Sequence, residues 1–346
     1  MSVASKAANA NSGFKLLPNP TNPSAEEVAT ALKLVRSGGI THPQTATPDR
    51  SLTIPSISTS DQRDVRIAIY DPPSLSAETK RPVVLSWHGS GFVVDRFGAD
   101  ADVNRWLVDE LNVTVVDGDY AKAPEGPFPE GLFDAVSALK WTVRQPWFDG
   151  NLVLKGHSAG ANFALCLSSR TTARALGVTD EEYDTIKACV TLYPPTDSSI
   201  PLEQKKTNEN GEEPGIPMSA LSAQVMHFFF GAYLGWDPKY QQEMGLDPRV
   251  SPAKAEIESY EVPCYIIACQ HDPLLEEAQT FAQRLGEKDS RHEFYLAQGV
   301  GHNYETRIPD VRDAKVLDAP GGKAKVESFA RLLEFIRKNV PAVNKQ

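Results

Sequence analysis

The sequence predicts an α/β fold: a mostly parallel eight-stranded sheet with helices on both faces and a helical cap. Three observations predict it. From about residue 82 onward, short apolar runs alternate with longer helix-like runs, the pattern of parallel strands joined by crossover helices. The first two or three runs have no helix between them, so they read as an antiparallel edge. One apolar run, 152–154, leads into Gly156-His157-Ser158-Ala159-Gly160 and then at once into a helix-like run. That is strand, sharp turn and helix with a serine at the apex.

The elements follow in order. Residues before about Pro23 are rich in Asn, Ser, Pro and Ala and are expected to be loosely attached. Ser24 and Glu27 form a capping-box signature, Val28, Leu32 and Val35 share one helical face, and Gly38-Gly39 stop that helix. Strands are expected at 52–57, 65–70, 82–87, 113–116, 152–154, 186–193, 262–268 and 292–297. Helices are expected at 102–111, 129–144, 158–168, 274–285 and 324–340. Between about 197 and 252 the alternation breaks into polar, Pro/Gly-rich sequence followed by an aromatic run, 226–236. That run reads either as a core helix or as part of a cap whose Phe228, Phe229, Tyr233 and Trp236 line an apolar substrate site. The domain organisation expected is an N-terminal segment, 1–50, contributing to the cap, and a catalytic domain, 51–346, with a cap insertion at about 197–252.

Composition narrows the function classes. The net charge of −10 argues against nucleic acid and anionic membrane surfaces as partners. No apolar run is long enough for a membrane span, and the first thirteen residues lack a signal core. Cys166, Cys189, Cys264 and Cys269 all lie in apolar runs. They are expected to be buried reduced thiols, which suits a cytoplasmic chain. None has CxxC spacing, so a zinc or other metal site has no support. Cys264 and Cys269 are an odd number of residues apart and should face opposite sides of one strand.

The chemistry converges on Ser158. A serine hydroxyl needs a base within hydrogen-bond reach, and the base needs an orienting carboxylate. Gly156 and Gly160 are expected where a side chain would collide with the tight turn. Asp272 follows an apolar run and opens a helix; a helix cap is its ordinary role, and capping does not exclude catalysis. His302 follows the last strand in Gly299-Val300-Gly301-His302. Ser158, Asp272 and His302 lie 114 and then 30 residues apart, in the order such a sheet requires. His88-Gly89-Ser90-Gly91 follows another strand. The backbone of Gly89, Ser90 and Gly91, with the N–H of Ala159, is placed to hold an oxyanion. His88 reads as structural.

These residues resemble the hormone-sensitive-lipase-like branch of the α/β-hydrolases, serine esterases that work without a cofactor. The resemblance spans about 82–340. It rests on HGSG at 88–91, on DYAKAPEGPFP at 119–129 (the family's stretch reads DYRLAPExPFP), on Gly156–Gly160 followed by Asn162, on Asp272-Pro273-Leu274, and on Gly301-His302. It implies Ser158 as nucleophile, His302 as base, Asp272 as its orienter, and Ser90, Gly91 and Ala159 at the oxyanion hole. Departures are Ser90 for a glycine, His157 where the branch more often has Asp, and Ala121-Lys122 for Arg-Leu. The function implied is hydrolysis of small apolar carboxylic esters, with a small-molecule partner and room for a homodimer. Lactone chemistry or acyl transfer uses the same triad. A ligand receptor of the gibberellin-receptor kind also resembles this branch but lacks the histidine that His302 supplies here.

Overall fold

In a computed structural model, residues 15–37, 44–73, 76, 78–205 and 221–344 are described. Eight apolar runs pair into one sheet: β1 (Arg50–Pro55), β2 (Asp64–Tyr70), β3 (Arg81–Trp87), β4 (Thr114–Gly118), β5 (Phe148–His157), β6 (Ile186–Leu192), β7 (Cys264–His271) and β8 (Glu293–Gly301). Their order is β1-β2-β4-β3-β5-β6-β7-β8. β2 is antiparallel to β1 and β4, and every other pairing is parallel. The antiparallel edge therefore consists of β1 and β2. β3 joins the parallel body because a helix follows it and carries the chain to β4 as a crossover.

The helices are α1 (Ala25–Arg36), α2 (Ala101–Leu111), α3 (Glu130–Val143), α4 (Ala159–Ser168), α5 (Arg170–Ala175), α6 (Asp180–Tyr183), α7 (Ala223–Leu234), α8 (Pro238–Met244), α9 (Leu275–Lys288) and α10 (Gly322–Asn339). The five expected after residue 100 are present with ends shifted by up to three residues. α5, α6 and α8 were not anticipated, being too short to show a helical period.

The central strands bury both faces. Leu152 and Leu154 of β5 share one core with Leu132 of α3, Leu165 of α4 and Phe281 of α9. Val153, between them, belongs to the other core with Trp106 of α2 and Phe329 and Leu332 of α10. This is the period-two alternation of a strand covered on both sides. It also separates Cys264 from Cys269, which fall in opposite cores. All four cysteines are free and buried.

α1 carries the expected capping box: Ser24 Oγ accepts the Glu27 N–H at 3.2 Å, and Glu27 Oε2 accepts the Ser24 N–H at 2.7 Å. Loose attachment before Pro23 fails for Leu16 and Leu17, which are buried. The Leu16 N–H donates to Gln224 Oε1 of α7 at 2.8 Å. Two adjacent leucines in a polar stretch supply enough apolar surface to anchor it. Residues 1–14, Gly38-Gly39 and the 206–220 part of the expected insertion lie outside the described residues. Among the described residues no helix is long and apolar enough to cross a membrane.

Candidate active site

Every parallel strand from β3 to β8 delivers a residue to the same sheet edge. Ser158 follows β5 at the start of α4, with φ 49° and ψ −115°. Its N–H donates to Leu192 O at the end of β6, at 2.9 Å. Two close approaches make this turn possible. A Cβ on Gly156 would overlap the Gly160 carbonyl, and one on Gly160 would overlap the Trp87 carbonyl. Glycine is needed at both places because backbone, not a movable side chain, fills the space.

His302, just past β8, bridges the other two candidates. Its Nε2 lies 2.9 Å from Ser158 Oγ and its Nδ1 lies 2.7 Å from Asp272 Oδ2. All three residues are buried. Asp272 divides its carboxylate: Oδ1 accepts the Leu274 N–H at 3.0 Å in the turn before α9, and Oδ2 lies against the imidazole. Leu274, not Asp272, is the N-cap of α9, so the cap reading of Asp272 is corrected: the prolyl residue after it moves the helix start two residues on.

The His88-Gly89-Ser90-Gly91 loop lies against the serine. A Cβ on Gly89 would sit 3.2 Å from Ser158 Cβ. Among the described residues, no hydrogen bond occupies the backbone N–H of Gly89, Ser90, Gly91 or Ala159. Ser90 escapes strain, because positive φ falls on Gly91 (58°) and Phe92 (64°) instead. Its hydroxyl lies 2.7 Å from the Tyr120 hydroxyl, which also lies 2.6 Å from the His88 carbonyl. The phenol has one proton. With that proton on the carbonyl, the Ser90 hydroxyl supplies the proton of the other bond and is committed to Tyr120.

His88 is fully buried, stacks on Tyr120 with ring centroids 4.6 Å apart, and meets Asp119 Oδ1 at 3.3 Å. Burial and the Lys122 charge lower its pKa below the ordinary range despite Asp119. Burial pushes the Asp119 carboxyl upward, but the hydrogen bond from His88 and the Lys122 ammonium outweigh it and hold it well below the usual carboxylate range. Lys122 donates to Asp119 Oδ1 at 2.7 Å and to Tyr120 O at 2.5 Å. The DYAKAPEGPFP stretch is therefore the buttress of the glycine-rich loop.

The aromatic run divides. Phe228 and Tyr233 are buried in the core, and Tyr233 stacks on Phe92 at 4.0 Å. Trp236 folds back over Gly231. Phe229, half-buried, covers Gly91. Of the four candidates named for substrate contact, Phe229 is the one that touches the glycine-rich loop.

Three neighbours were not anticipated. Tyr193, one residue past β6, has φ 42° and its ring centroid lies 4.6 Å from that of His302. Its hydroxyl donates to Glu305 Oε1. His157 Nδ1 lies 3.1 Å from Asp100 Oδ1 and 3.5 Å from Glu305 Oε1. Burial pushes the Asp100 carboxyl up, but the neighbouring His157 and Lys155 outweigh it and hold it well below the usual range. Contacts between residues this far apart in sequence leave no periodic signal; the tyrosine directly after an apolar strand was the available clue. A cavity of about 310 Å³ lies beside this cluster, lined by Asp100, Trp106, Glu305 and Phe329 among others; the triad does not line it.

The chain is similar to a family of known proteins. A family profile described as alpha/beta hydrolase fold matches residues 84–306, well over half of the chain. An ethyl acetate hydrolase from Pseudomonas putida is 25% identical over 253 residues, covering 72% of this chain and 74% of its own. The esterase LipI from Mycobacterium tuberculosis is 28% identical over 243 residues, covering 68% and 69%. A hyperthermophilic esterase from the archaeon Pyrobaculum calidifontis superposes with a TM-score of 0.68 at 23% identity, covering 96% of this chain and 95% of that one. The chain belongs to the alpha/beta-hydrolase family, in the hormone-sensitive-lipase-like branch that its HGSG and DYAKAPE stretches resemble.

Proposed function

We propose that this chain is a serine carboxylesterase acting on small apolar esters, with Ser158 as nucleophile, His302 as general base and Asp272 as its orienter. The observation that carries the reading is the single imidazole bridging Ser158 Oγ at 2.9 Å and Asp272 Oδ2 at 2.7 Å. Esterases among the similar proteins support the reaction class.

Ser158 Oγ attacks the ester carbonyl carbon while its proton passes to His302 Nε2. The Nδ1–H, held on Asp272, fixes the tautomer that leaves Nε2 free to accept. The carbonyl oxygen becomes an oxyanion between the N–H groups of Ala159 and the Gly89–Gly91 loop. The intermediate collapses, the alcohol leaves with the proton from Nε2, and an acyl-serine remains. Water then attacks, giving its proton to His302, and Ser158 Oγ leaves with that proton as the acid departs.

The N-terminal segment with α1, together with the insertion carrying α7, serves as a cap over this edge. Leu16 bonds to α7 and Phe229 of α7 covers Gly91, which supports that role. Phe229 is placed to contact substrate. The four buried free thiols suit a reducing compartment.

Treatment with a fluorophosphonate should add one adduct mass, on the Ser158 peptide. Ser158→Ala should abolish it and lower kcat on a p-nitrophenyl ester by on the order of 10⁶-fold. A folded wild-type protein that takes no label, or a variant keeping a tenth of the activity, would remove Ser158 from the mechanism.

A further inference from the structure

We infer that Tyr193 and Glu305 are positioning residues that hold the imidazole of His302 at the correct distance from Ser158. This inference rests on the roles proposed for those two residues.

Tyr193 stands at the corner where the nucleophile side and the base side meet. Leu192, just before it, accepts the Ser158 N–H through its carbonyl at 2.9 Å. The Tyr193 N–H donates to Ile267 O of β7 at 2.6 Å, so β7 holds the corner from behind. The ring then packs on His302 at 4.6 Å between centroids, with the planes tilted by 58°. An aromatic residue with φ 42° is unusual. Such strain persists only where the surroundings over-determine it, and it gathers at functional sites.

Glu305 completes the brace from the other side. It lies three residues after His302, on the same loop, and is buried. Its Oε1 accepts the Tyr193 hydroxyl and also lies 3.5 Å from Nδ1 of His157, the residue before the nucleophile. The loop is pinned to α10 as well. Lys325 Nζ donates to the carbonyls of Glu305, Ile308 and Pro309 at 2.8–2.9 Å, and the Tyr304 and Ser328 hydroxyls meet at 2.5 Å. The Tyr193 ring thus presses the imidazole from the sheet side, while its hydroxyl fixes the loop from which that imidazole hangs.

The brace acts on alignment, not on substrate binding. A displacement of the base by about an ångström is worth up to roughly 10²-fold in rate. Tyr193→Phe keeps the ring and removes the link to Glu305; Glu305→Ala removes the acceptor; Glu305→Gln keeps an acceptor oxygen. Each protein would be active-site titrated with fluorophosphonate, melted, and assayed on a p-nitrophenyl ester. Tyr193→Phe and Glu305→Ala should each lower kcat by about 10- to 100-fold with KM changed less than about twofold. Glu305→Gln should recover most of the loss. The Tyr193→Phe/Glu305→Ala double variant should be no slower than the slower single, as expected for one shared link. The low-field proton resonance of His302 Nδ1–H should move or broaden in Tyr193→Phe. Unchanged kcat in folded Tyr193→Phe, or no recovery in folded Glu305→Gln, overturns the brace. Wild type that fails to label overturns the reading of Ser158 instead, and the brace falls with it.

Discussion

A serine at φ 49° and ψ −115° holds a conformation that costs a non-glycine residue on the order of 1–3 kcal/mol. Its surroundings impose it: glycines on either side, the Leu192 carbonyl on its N–H, and α4 beginning at the next residue. The glycines and the helix start were legible, because a side chain at either glycine would collide with the tight turn; the Leu192 carbonyl was not. The sequence did not show what Ser90 does. A serine at a glycine position reads equally as strain or as an added donor, and the outcome depends on Tyr120, thirty residues away, whose hydroxyl meets Ser90 and the His88 carbonyl. Tyr120→Phe tests that contact. The ring stays stacked on His88, but the Ser90 hydroxyl and the His88 carbonyl each lose a buried partner. A cost of about 1–3 kcal/mol is expected, read as a lower urea midpoint with unchanged slope. The freed Ser90 hydroxyl can then turn toward the oxyanion, so kcat should change more than KM. Equal stability of variant and wild type would show that the phenol hydroxyl carries no load.

At the scale of elements, the loops after β3 and β4 are joined by His88, Asp119 and Lys122, and that junction is sensitive to pH. The ordinary histidine value is 6.5, and burial, with the Lys122 charge, lowers that of His88. Below pH 6.5 the unfolded chain therefore binds a proton there that the folded chain resists. Stability from this group is fully present above the unfolded value and is lost as pH falls toward the lower folded value. His292 is shifted down by burial too and acts in the same direction. Asp119, held below its ordinary 3.8, contributes only in a more acidic window. Asp117, Asp134 and Glu277, shifted up by burial, act in the opposite direction, so the two histidines are read from the downward slope in melting temperature that they add between about pH 6.5 and 5. His88→Asn should shrink that slope while leaving the part due to His292. Parallel melting curves for variant and wild type across this range would refute the assignment. The strands and the longer helices were legible, since each carries its own period, whereas α5, α6 and α8 are too short to carry one. The strands' neighbours were not legible: the β4 position between β2 and β3 follows from a crossover rather than from any local pattern.

For the molecule as a whole, the family was legible because its signature stretches all fall at strand ends, where the fold concentrates chemistry. A cap contribution from residues 1–50 was expected, but the contacts that hold this segment were not legible, since they join residues 57 to 208 positions apart through ordinary side chains. Arg36, at the end of α1, donates to Val93 O at 3.0 Å and Ala123 O at 3.1 Å, and pairs with Glu125 at 2.6–2.8 Å. Val93 and Ala123 belong to the loops that follow HGSG and carry DYAKAPE. Val28, Leu32 and Val35 of α1 pack on the core beneath them. Two contributions can therefore be separated. Arg36→Ala removes a partly exposed ion pair, worth about 0–1 kcal/mol, together with two bonds to loop carbonyls. Deleting residues 1–37 removes those and the apolar face of α1 as well. The deletion should lower the melting temperature well beyond Arg36→Ala, expose apolar surface on α7 to a hydrophobic dye, and reduce kcat/KM for p-nitrophenyl esters while fluorophosphonate still labels Ser158. If the truncated protein melts and turns over ester like the full chain, the N-terminal segment has no part in covering the site.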